Sequence, residues 1–208
     1  MGKLLYIKAS PRDRSYSVAV ANAFIDLYRN LHPDEEIETL DVFREQLPCF
    51  NGFTVQAKYA IMHGLERSHA EAQAWQGVEK VIKRFKSADK YVIATPMWNF
   101  GIPYRLKHYI DLLVQPGYTF TYSEQQGYRG LVIDKPLVVV YARGGTYLAE
   151  QARCLDMQKA YIELVFGFMG FTDIRSILVE PTLQQGPEAA RQVLEAAITD
   201  AQKLAEEF

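Results

Sequence analysis

Short apolar runs alternate with longer amphipathic stretches along this chain, and the alternation limits the available folds more than any other feature. Five runs predict strands, at residues 4–9, 37–42, 91–95, 137–141 and 174–179. Two of them, YVIAT and LVVVY, are continuously apolar, as expected for strands that are buried on both faces. Strands that alternate with helices predict an α/β fold with a parallel sheet covered on both sides.

The amphipathic stretches predict the helices. Apolar residues at helical spacing predict a helix at residues 17–31, capped by Ser15 or Ser17. Further helices are predicted at two stretches within residues 52–87, and at 105–114, 151–169 and 187–208. Five strands in this arrangement fit a doubly wound, flavodoxin-like parallel sheet of order 2-1-3-4-5. Residues 117–130 predict a small β-excursion before the fourth strand. Because no linker or repeat divides the sequence, we expect residues 1–208 to form a single domain.

Charge and cysteine content exclude several classes of protein. The 208 residues hold 23 Lys and Arg against 25 Asp and Glu, a net charge of -2 that argues against a dedicated nucleic-acid binder. No apolar run reaches the ~18 residues needed to span a bilayer. Cys49 and Cys154 have no CxxC partner, and the four histidines form no HExxH motif. We therefore expect a cytoplasmic protein with two reduced thiols, no bound metal, and no membrane or nucleic-acid partner.

The loop after the first strand, residues 10–17 (SPRDRSYS), leads directly into a helix. Free N–H groups and the positive end of the helix dipole favour a phosphate there, and three serines add hydroxyl donors. The loop matches neither the GxGxxG fingerprint nor the Walker-type phosphate loop, which disfavours a dinucleotide fold or a nucleoside triphosphatase. The residues alone leave two interpretations open, a phosphate site and a set of helix caps.

The loop after the third strand, residues 95–103 (TPMWNFGIP), combines two prolines and a glycine with two large aromatic side chains. The prolines and the glycine predict a rigid backbone path. Trp98 and Phe100 offer aromatic faces in a loop that should face solvent. Contact with a flat aromatic cofactor is the favoured interpretation, and a hydrophobic lid or a subunit interface is the alternative.

The loop after the fourth strand, residues 141–147 (YARGGTY), contains a pair of glycines. Paired glycines let backbone N–H groups approach the edge of a ligand closely. A glycine pair is more often just a turn, but this one lies at a third strand end, where open parallel sheets bind their ligands.

At these loops the chain resembles the FMN-dependent NADH azoreductases of the flavodoxin-like quinone reductase superfamily. The resemblance covers most of the chain and rests on three segments, KASPRDRSYS, TPMWNFGIPYRLKHYIDLLVQPGYTFTY and ARGG. It implies FMN as the cofactor and NADH or NADPH as the electron donor. Members of the family are homodimers with two FMN sites at the subunit interface, so a homodimer is implied here as well.

The resemblance also implies cofactor contacts on all three loops. The residues that would hold the FMN phosphate are Ser10, Ser15, Tyr16 and Ser17. Those that would line the flavin ring are Pro96, Met97, Trp98, Asn99, Phe100 and Gly101. Those that would meet its pyrimidine end are Ala142, Arg143, Gly144 and Gly145. Candidates for a substrate pocket over the ring are Phe120, Tyr122 and Tyr128. For the first two of these aromatic residues, plain cross-strand pairing is an open alternative.

The implied activity is the two-electron reduction of quinones and the reductive cleavage of aromatic azo compounds. A ping-pong cycle is expected, in which the nicotinamide passes a hydride to the flavin and leaves before the acceptor binds. No catalytic side chain is assigned, because the flavin carries the redox chemistry. Two alternatives stay open: a flavodoxin-type electron carrier without NAD(P)H oxidase activity, and a cofactor-free binding module on the same fold.

Overall fold

The computed structural model describes residues 2–208, and a five-stranded parallel sheet runs through its centre. The strands of the chain are β1 (Lys3–Lys8), β2 (Glu36–Asp41), β3 (Lys90–Pro96), β4 (Phe120–Ser123), β5 (Gly127–Gly130), β6 (Leu137–Ala142) and β7 (Ile174–Val179). The parallel sheet has the order β2-β1-β3-β6-β7, while β4 and β5 form a separate antiparallel hairpin. The predicted order 2-1-3-4-5 is therefore confirmed, with β6 and β7 as its fourth and fifth strands.

Seven helices accompany the strands. Their bounds are α1 (Tyr16–Leu31), α2 (Gly52–His63), α3 (His69–Lys86), α4 (Tyr104–Leu113), α5 (Glu150–Arg153), α6 (Met157–Met169) and α7 (Gly186–Glu206). One face of the sheet packs on α1 and α7, and the other packs on α3, α4 and α6. The apolar strands β3 and β6 lie between these two cores. Every residue of β6 is buried, which explains its unbroken run of valines. None of the helices described within residues 2–208 is both long and apolar enough to cross a membrane.

The helix predicted at residues 151–169 is interrupted, and on this point the prediction is wrong. The chain forms the single turn α5, leaves helical geometry at residues 154–156, and begins α6 at Met157. Asp156 causes the second start, because its side chain accepts a hydrogen bond from the backbone N–H of Lys159 at 2.9 Å. A short polar side chain that satisfies a first-turn N–H group is a strong helix start signal.

The predicted β-excursion is present as the β4–β5 hairpin, which packs against the carboxyl end of α6. Gly130 at the end of β5 lies directly on Gly170, the residue that terminates α6 with a φ of 115°. A Cβ atom on Gly130 would overlap the backbone of Gly170. The close approach of two backbones thus attaches the hairpin to the helix.

Candidate functional site

The three loops singled out from the sequence leave the sheet at one edge. Lys8 pairs with Ala94, and Pro96 pairs with Ala142, so β1, β3 and β6 end side by side. Backbone hydrogen bonds continue one step further, from Met97 N–H to the carbonyl of Ala142 at 2.8 Å. Adjacent strands lie about 4.8 Å apart, so the three loops begin within roughly 10 Å of each other. This is the carboxyl edge of the sheet, where open α/β folds bind ligands.

The loop after β1 presents an uncapped helix N-terminus. Ser15 occupies the N-cap position of α1, but its side chain accepts no hydrogen bond from the helix backbone. Its hydroxyl oxygen lies 3.2 Å from that of Ser17 instead. The first N–H groups of α1 are therefore left for another partner. The Ser15 side chain therefore does not act as the predicted helix cap, and the phosphate site stays a prediction.

The hydroxyl of Ser10 lies at the base of the same loop. Ser10 is only 5% exposed, and its Oγ atom has no hydrogen-bond partner among residues 2–208. A buried polar atom without a partner is costly and rare in folded proteins. An anionic ligand held by the N-terminus of α1 would supply the missing acceptor.

The loop after β3 closes in a tight turn. Trp98 and Gly101 exchange two backbone hydrogen bonds, each 3.0 Å long. The two residues between them, Asn99 and Phe100, have positive φ angles of 48° and 68°. Asparagine tolerates this conformation, whereas a bulky residue such as phenylalanine is strained in it. The N–H groups of both central residues donate to no group within residues 2–208, so they are free for a ligand.

The loop after β6 places its arginine inward. The guanidinium of Arg143 is 1% exposed and forms ion pairs with Asp156 at 2.8 Å and with Glu180 at 3.1 Å. The N–H groups of Gly144 and Gly145 donate to nothing in the described part of the chain. A ligand at this turn would therefore meet backbone N–H groups, while the arginine side chain belongs to the supporting structure.

A buried glutamine connects two of these loops, and the sequence analysis missed it. Gln158 is fully buried at the start of α6. Its Nε2 donates to the carbonyl of Thr95 at 3.1 Å, and its Oε1 accepts from Nε of Arg143 at 3.1 Å. A signal was available: Gln158 precedes Ile162 and Phe166 by four and eight residues, so a polar side chain occupies the apolar face of the helix.

An apolar groove of about 730 Å³ opens beside the tight turn, between α4 and α6. Its lining residues are Trp98, Asn99, Gly101, Ile102, Tyr104, Lys107, Met157, Ala160, Tyr161 and Leu164. Some of the large apolar residues that line it are highly exposed, with Leu164 at 72% and Tyr104 at 67%. Burial, with the nearby Asp111 carboxylate as a smaller cause, raises the pKa of Tyr161 to about 12. That hydroxyl therefore stays protonated at neutral pH.

The three aromatic candidates for a substrate pocket lie together on the hairpin. Tyr122 and Tyr128 face each other across β4 and β5, with ring centroids 4.9 Å apart. The ring of Phe120 packs on Phe168 of α6 at 4.7 Å. Cross-strand packing, the open alternative for Phe120 and Tyr122, is thus present for Tyr122, whereas Phe120 lies opposite Gly130 and packs on the helix. None of the three lines the groove beside Trp98 in the same chain.

The arginines of the first loop line a different hollow. Arg12 and Arg14 border a second groove, of about 490 Å³, which is also lined by Ser15 and Tyr16 at the start of α1 and by Leu194 of α7. No group of three or more His, Cys, Asp or Glu residues within 2–208 is arranged to hold a metal ion. The donors collected at the carboxyl edge of the sheet suit a phosphate group joined to a flat ring.

Known proteins are similar to this chain in sequence and in fold. A family profile described as the flavodoxin-like fold matches residues 2–205. An FMN-dependent NADH:quinone oxidoreductase of Nitratidesulfovibrio vulgaris (strain DP4) is 50% identical over 210 residues, covering 100% of both chains. The structure of an azoreductase from Bacillus anthracis str. Sterne has a TM-score of 0.92 at 32% identity, covering 100% of both chains. An FMN-dependent NADH-azoreductase from Bacillus anthracis str. Ames Ancestor, in complex with FMN, has a TM-score of 0.90 at 28% identity, covering 100% of this chain and 99% of that one.

Proposed function

Since this chain belongs to the flavodoxin-like family of FMN-dependent NADH:quinone oxidoreductases, we propose that it transfers two electrons from NADH or NADPH to quinones and to aromatic azo compounds. The observation that carries the proposal is the identity of 50% along the full length of an enzyme with that name. The unpaired donors at the carboxyl edge of the sheet support it independently. They form a cradle of hydrogen-bond donors that have no acceptor within residues 2–208.

The cradle fits FMN part by part. Ser10 and the uncapped start of α1, with Ser15, Tyr16 and Ser17, would hold the phosphate. The segment after β3, from Pro96 to Gly101, would lie along the flavin ring. Ala142, Arg143, Gly144 and Gly145 would meet its pyrimidine edge through backbone N–H groups rather than through the arginine side chain.

When bound, FMN supplies the hydride chemistry that no side chain of the chain can perform. The contribution of the protein is orientation and charge. The N–H groups of Gly144 and Gly145 would offer positive dipoles to the pyrimidine edge, where the reduced ring gathers negative charge. The free N–H of Asn99 would donate to the central part of the ring, and the apolar groove would exclude water from the exposed ring face.

The groove suits flat, uncharged acceptors. Its walls are mostly aliphatic and aromatic, and its cation Lys107 is paired with Asp111 at 2.6 Å. The protonated hydroxyl of Tyr161 can donate a hydrogen bond to a quinone oxygen or to an azo nitrogen. One site would thus receive first the nicotinamide and then the acceptor, as a ping-pong cycle requires.

We also propose that the active form is a homodimer. The exposed residues Met157 and Leu164 and the half-buried Phe168 follow one another at helical spacing along α6, from the groove to the aromatic hairpin. A second copy on this surface would bury it and bring the partner hairpin, with Phe120, Tyr122 and Tyr128, towards the groove. A two-fold axis makes such a surface self-complementary.

The remaining proposals concern domain organisation and compartment. Residues 1–208 would act as one FMN-binding domain, because both cores share a single sheet. A cytoplasmic location is proposed because Cys49 and Cys154 are both exposed and unpaired in the described chain, a state that a reducing compartment maintains.

Absorbance and anaerobic titration test the proposed activity. The purified protein, or the protein reconstituted with FMN, should show a flavin spectrum that bleaches on addition of NADH or NADPH and returns on addition of a quinone. Titration with each nicotinamide in turn shows which donor is preferred.

Two results would contradict the proposal, and each favours one alternative. Bound FMN that neither NADH nor NADPH reduces would indicate an electron carrier of the flavodoxin type. A colourless protein that takes up no added FMN would indicate a cofactor-free binding module.

A further inference from the structure

The supporting structure beneath the proposed flavin site is a chain of buried polar contacts. Gln158 Nε2 donates to the carbonyl of Thr95, which is the last residue but one of β3. Gln158 Oε1 accepts from Arg143, the first residue after β6. Because Gln158 is completely buried, both hydrogen bonds are shielded from water.

The contacts continue from Arg143 to the next strand end. Its guanidinium pairs with Glu180, which follows β7 and is 2% exposed, and with Asp156, the N-cap residue of α6. Its own carbonyl accepts from the backbone N–H and from the hydroxyl of Thr182, each at 2.9 Å. The ends of β3, β6 and β7 are thus joined to the first turn of α6 by a single network.

We propose that Gln158 is a positioning residue that holds the loops after β3 and β6 in the geometry that receives the flavin. The inference rests on the proposed function for the identity of the ligand. Residues after Thr95 form the strained turn at Asn99 and Phe100, and such a turn persists only where its surroundings hold it. Gln158 hydrogen-bonds to Thr95, just before that turn, and to Arg143, just before the glycine pair.

Gln158 is fully buried and so does not contact the ligand directly. Its contacts at two loops of the proposed site give it a more specific role than a general contribution to stability. Its two partners lie at the starts of two different loops of the proposed flavin site, so removing it should loosen the connection between these loops. Gln115 offers the matched control. It is also fully buried, and its Nε2 donates to a backbone carbonyl, that of Asp111, at 2.6 Å. It follows α4 at the end remote from the flavin loops, about 15 Å along the helix.

The test compares Gln158→Met with Gln115→Met, since both replace a buried amide by an apolar chain of similar length. Gln158→Met should unfold at a lower temperature than the wild-type protein. Gln115→Met should change less, because it loses one hydrogen bond but also removes the Oε1 atom, which has no partner within residues 2–208. Gln158→Met alone should weaken FMN binding by about tenfold, the effect expected when a buried hydrogen bond that orders a binding loop is lost. It should also shift the midpoint potential of bound FMN, which a purely structural role would not move.

Amide hydrogen exchange in the FMN-free protein provides a readout that is independent of the ligand. Met97 N–H, bonded to the Ala142 carbonyl, should exchange faster in Gln158→Met and at the wild-type rate in Gln115→Met. Gln158→Glu separates the two contacts, because a carboxylate still accepts from Arg143 but cannot donate to the Thr95 carbonyl. It should speed exchange at Met97 and leave Leu183 N–H, bonded to the Gly144 carbonyl, protected.

Equal effects of Gln158→Met and Gln115→Met on FMN affinity and on exchange at Met97 would overturn the inference. A wild-type protein that binds no FMN would overturn the proposed function instead. In that case the exchange measurements would still decide whether Gln158 orders the two loops.

Discussion

Unpaired polar groups at single residues mark the carboxyl edge of the sheet. Within residues 2–208, Ser10 has a buried hydroxyl without a partner, Ser15 leaves the first turn of α1 uncapped, and Gly144 and Gly145 have free N–H groups. Each unpaired polar group lowers the stability of the folded protein, so a protein selected for stability alone would pair or remove it. Their concentration at one edge indicates that a ligand satisfies them together.

Ser10→Ala should therefore change stability and ligand affinity in opposite directions. Removing the unpaired hydroxyl should raise the free energy of unfolding of the FMN-free protein by about 1 kcal/mol. The same change should weaken FMN binding by about tenfold through loss of one hydrogen bond to the phosphate. Urea unfolding and fluorescence titration with FMN measure the two effects.

Thr119→Val is the control, because the Thr119 hydroxyl is also buried but donates to the carbonyl of Leu113 at 2.8 Å. It should lower stability and leave FMN affinity unchanged. A loss of stability in Ser10→Ala would show that its hydroxyl has a partner in the protein.

Phe100 carries the strain of the tight turn. Its side chain is half exposed, so little burial holds it at a φ of 68°. Phe100→Gly should raise the free energy of unfolding by about 1 kcal/mol, because glycine adopts this conformation without steric cost. It should also weaken FMN retention, since one of the aromatic side chains proposed to lie along the flavin ring is lost. Unchanged stability together with unchanged FMN binding would contradict both assignments.

Among the elements, α6 has three roles along its length. Its first turn holds the buried network through Gln158, its exposed stripe forms one wall of the apolar groove, and its end supports the hairpin through Gly170.

The junction between α6 and the hairpin gives a prediction with opposite signs at two glycines. Gly130→Ala should destabilise the protein by about 3 kcal/mol, because its Cβ would overlap the backbone of Gly170, which cannot yield as a flexible side chain does. Gly167→Ala within α6 should stabilise it by about 1 kcal/mol, because that position is open and alanine favours the helix. Chemical denaturation of both variants measures the two changes, and a similar change in both would contradict the close approach.

An ion-pair cluster joins Lys3 of β1, Glu38 of β2 and Arg84 of α3. This cluster predicts that the stability of the protein depends on pH. Burial raises the pKa of Glu38, but hydrogen bonds from Lys3 and Arg84 outweigh burial and hold it below its usual 4.5. The stability that Glu38 contributes is therefore present above pH 4.5 and is lost as the pH falls through the lower folded pKa.

Glu38→Gln should accordingly be less stable than the wild-type protein at pH 7, and the difference should shrink below pH 4.5. Thermal melts from pH 7 to acid measure it. A difference that stays constant over this range would show that the cluster does not depress the pKa. Glu195→Gln, on the exposed face of α7, serves as the control.

At the scale of the whole molecule, the groove beside Trp98 is open on one side. Leu164 and Met157 present apolar side chains to solvent at its rim, and monomeric proteins seldom leave contiguous apolar patches of this kind uncovered. The proposed dimer would cover these side chains and would add a wall over the proposed flavin site.

Leu164→Glu should convert the dimer to a monomer, because it places a charge in the centre of the proposed interface. Light scattering coupled to size exclusion should then give the mass of one chain rather than two, with lower quinone reductase activity. Leu31→Glu is the matched control, since Leu31 is 48% exposed at the far end of α1. A wild-type protein that is monomeric at working concentration would contradict the proposed dimer.

Much of the fold could be read from local patterns. The strand runs and the helical spacing predicted the elements, because hydrophobic periodicity reports which faces are buried. The alternation of strands and helices then fitted the order 2-1-3-4-5, which the structure confirms. The break before α6 was missed because Asp156 acts through its position relative to Lys159 rather than through composition. The site loops were found through their serines, aromatic residues and glycines, whereas the direction of the Arg143 side chain depends on acidic partners 13 and 37 residues away along the chain.

The parallel sheet and the family could thus be predicted from the order of residues, because hydrophobic patterns and motifs consist of neighbours in sequence. The folded chain alone showed which donors lack partners, that Arg143 turns inward, and that Gln158 joins two loops. These properties depend on side chains that are distant in sequence and meet only when β3, β6 and α6 pack together. This packing determines which polar groups bond to each other within the protein and which stay free to bond to a ligand.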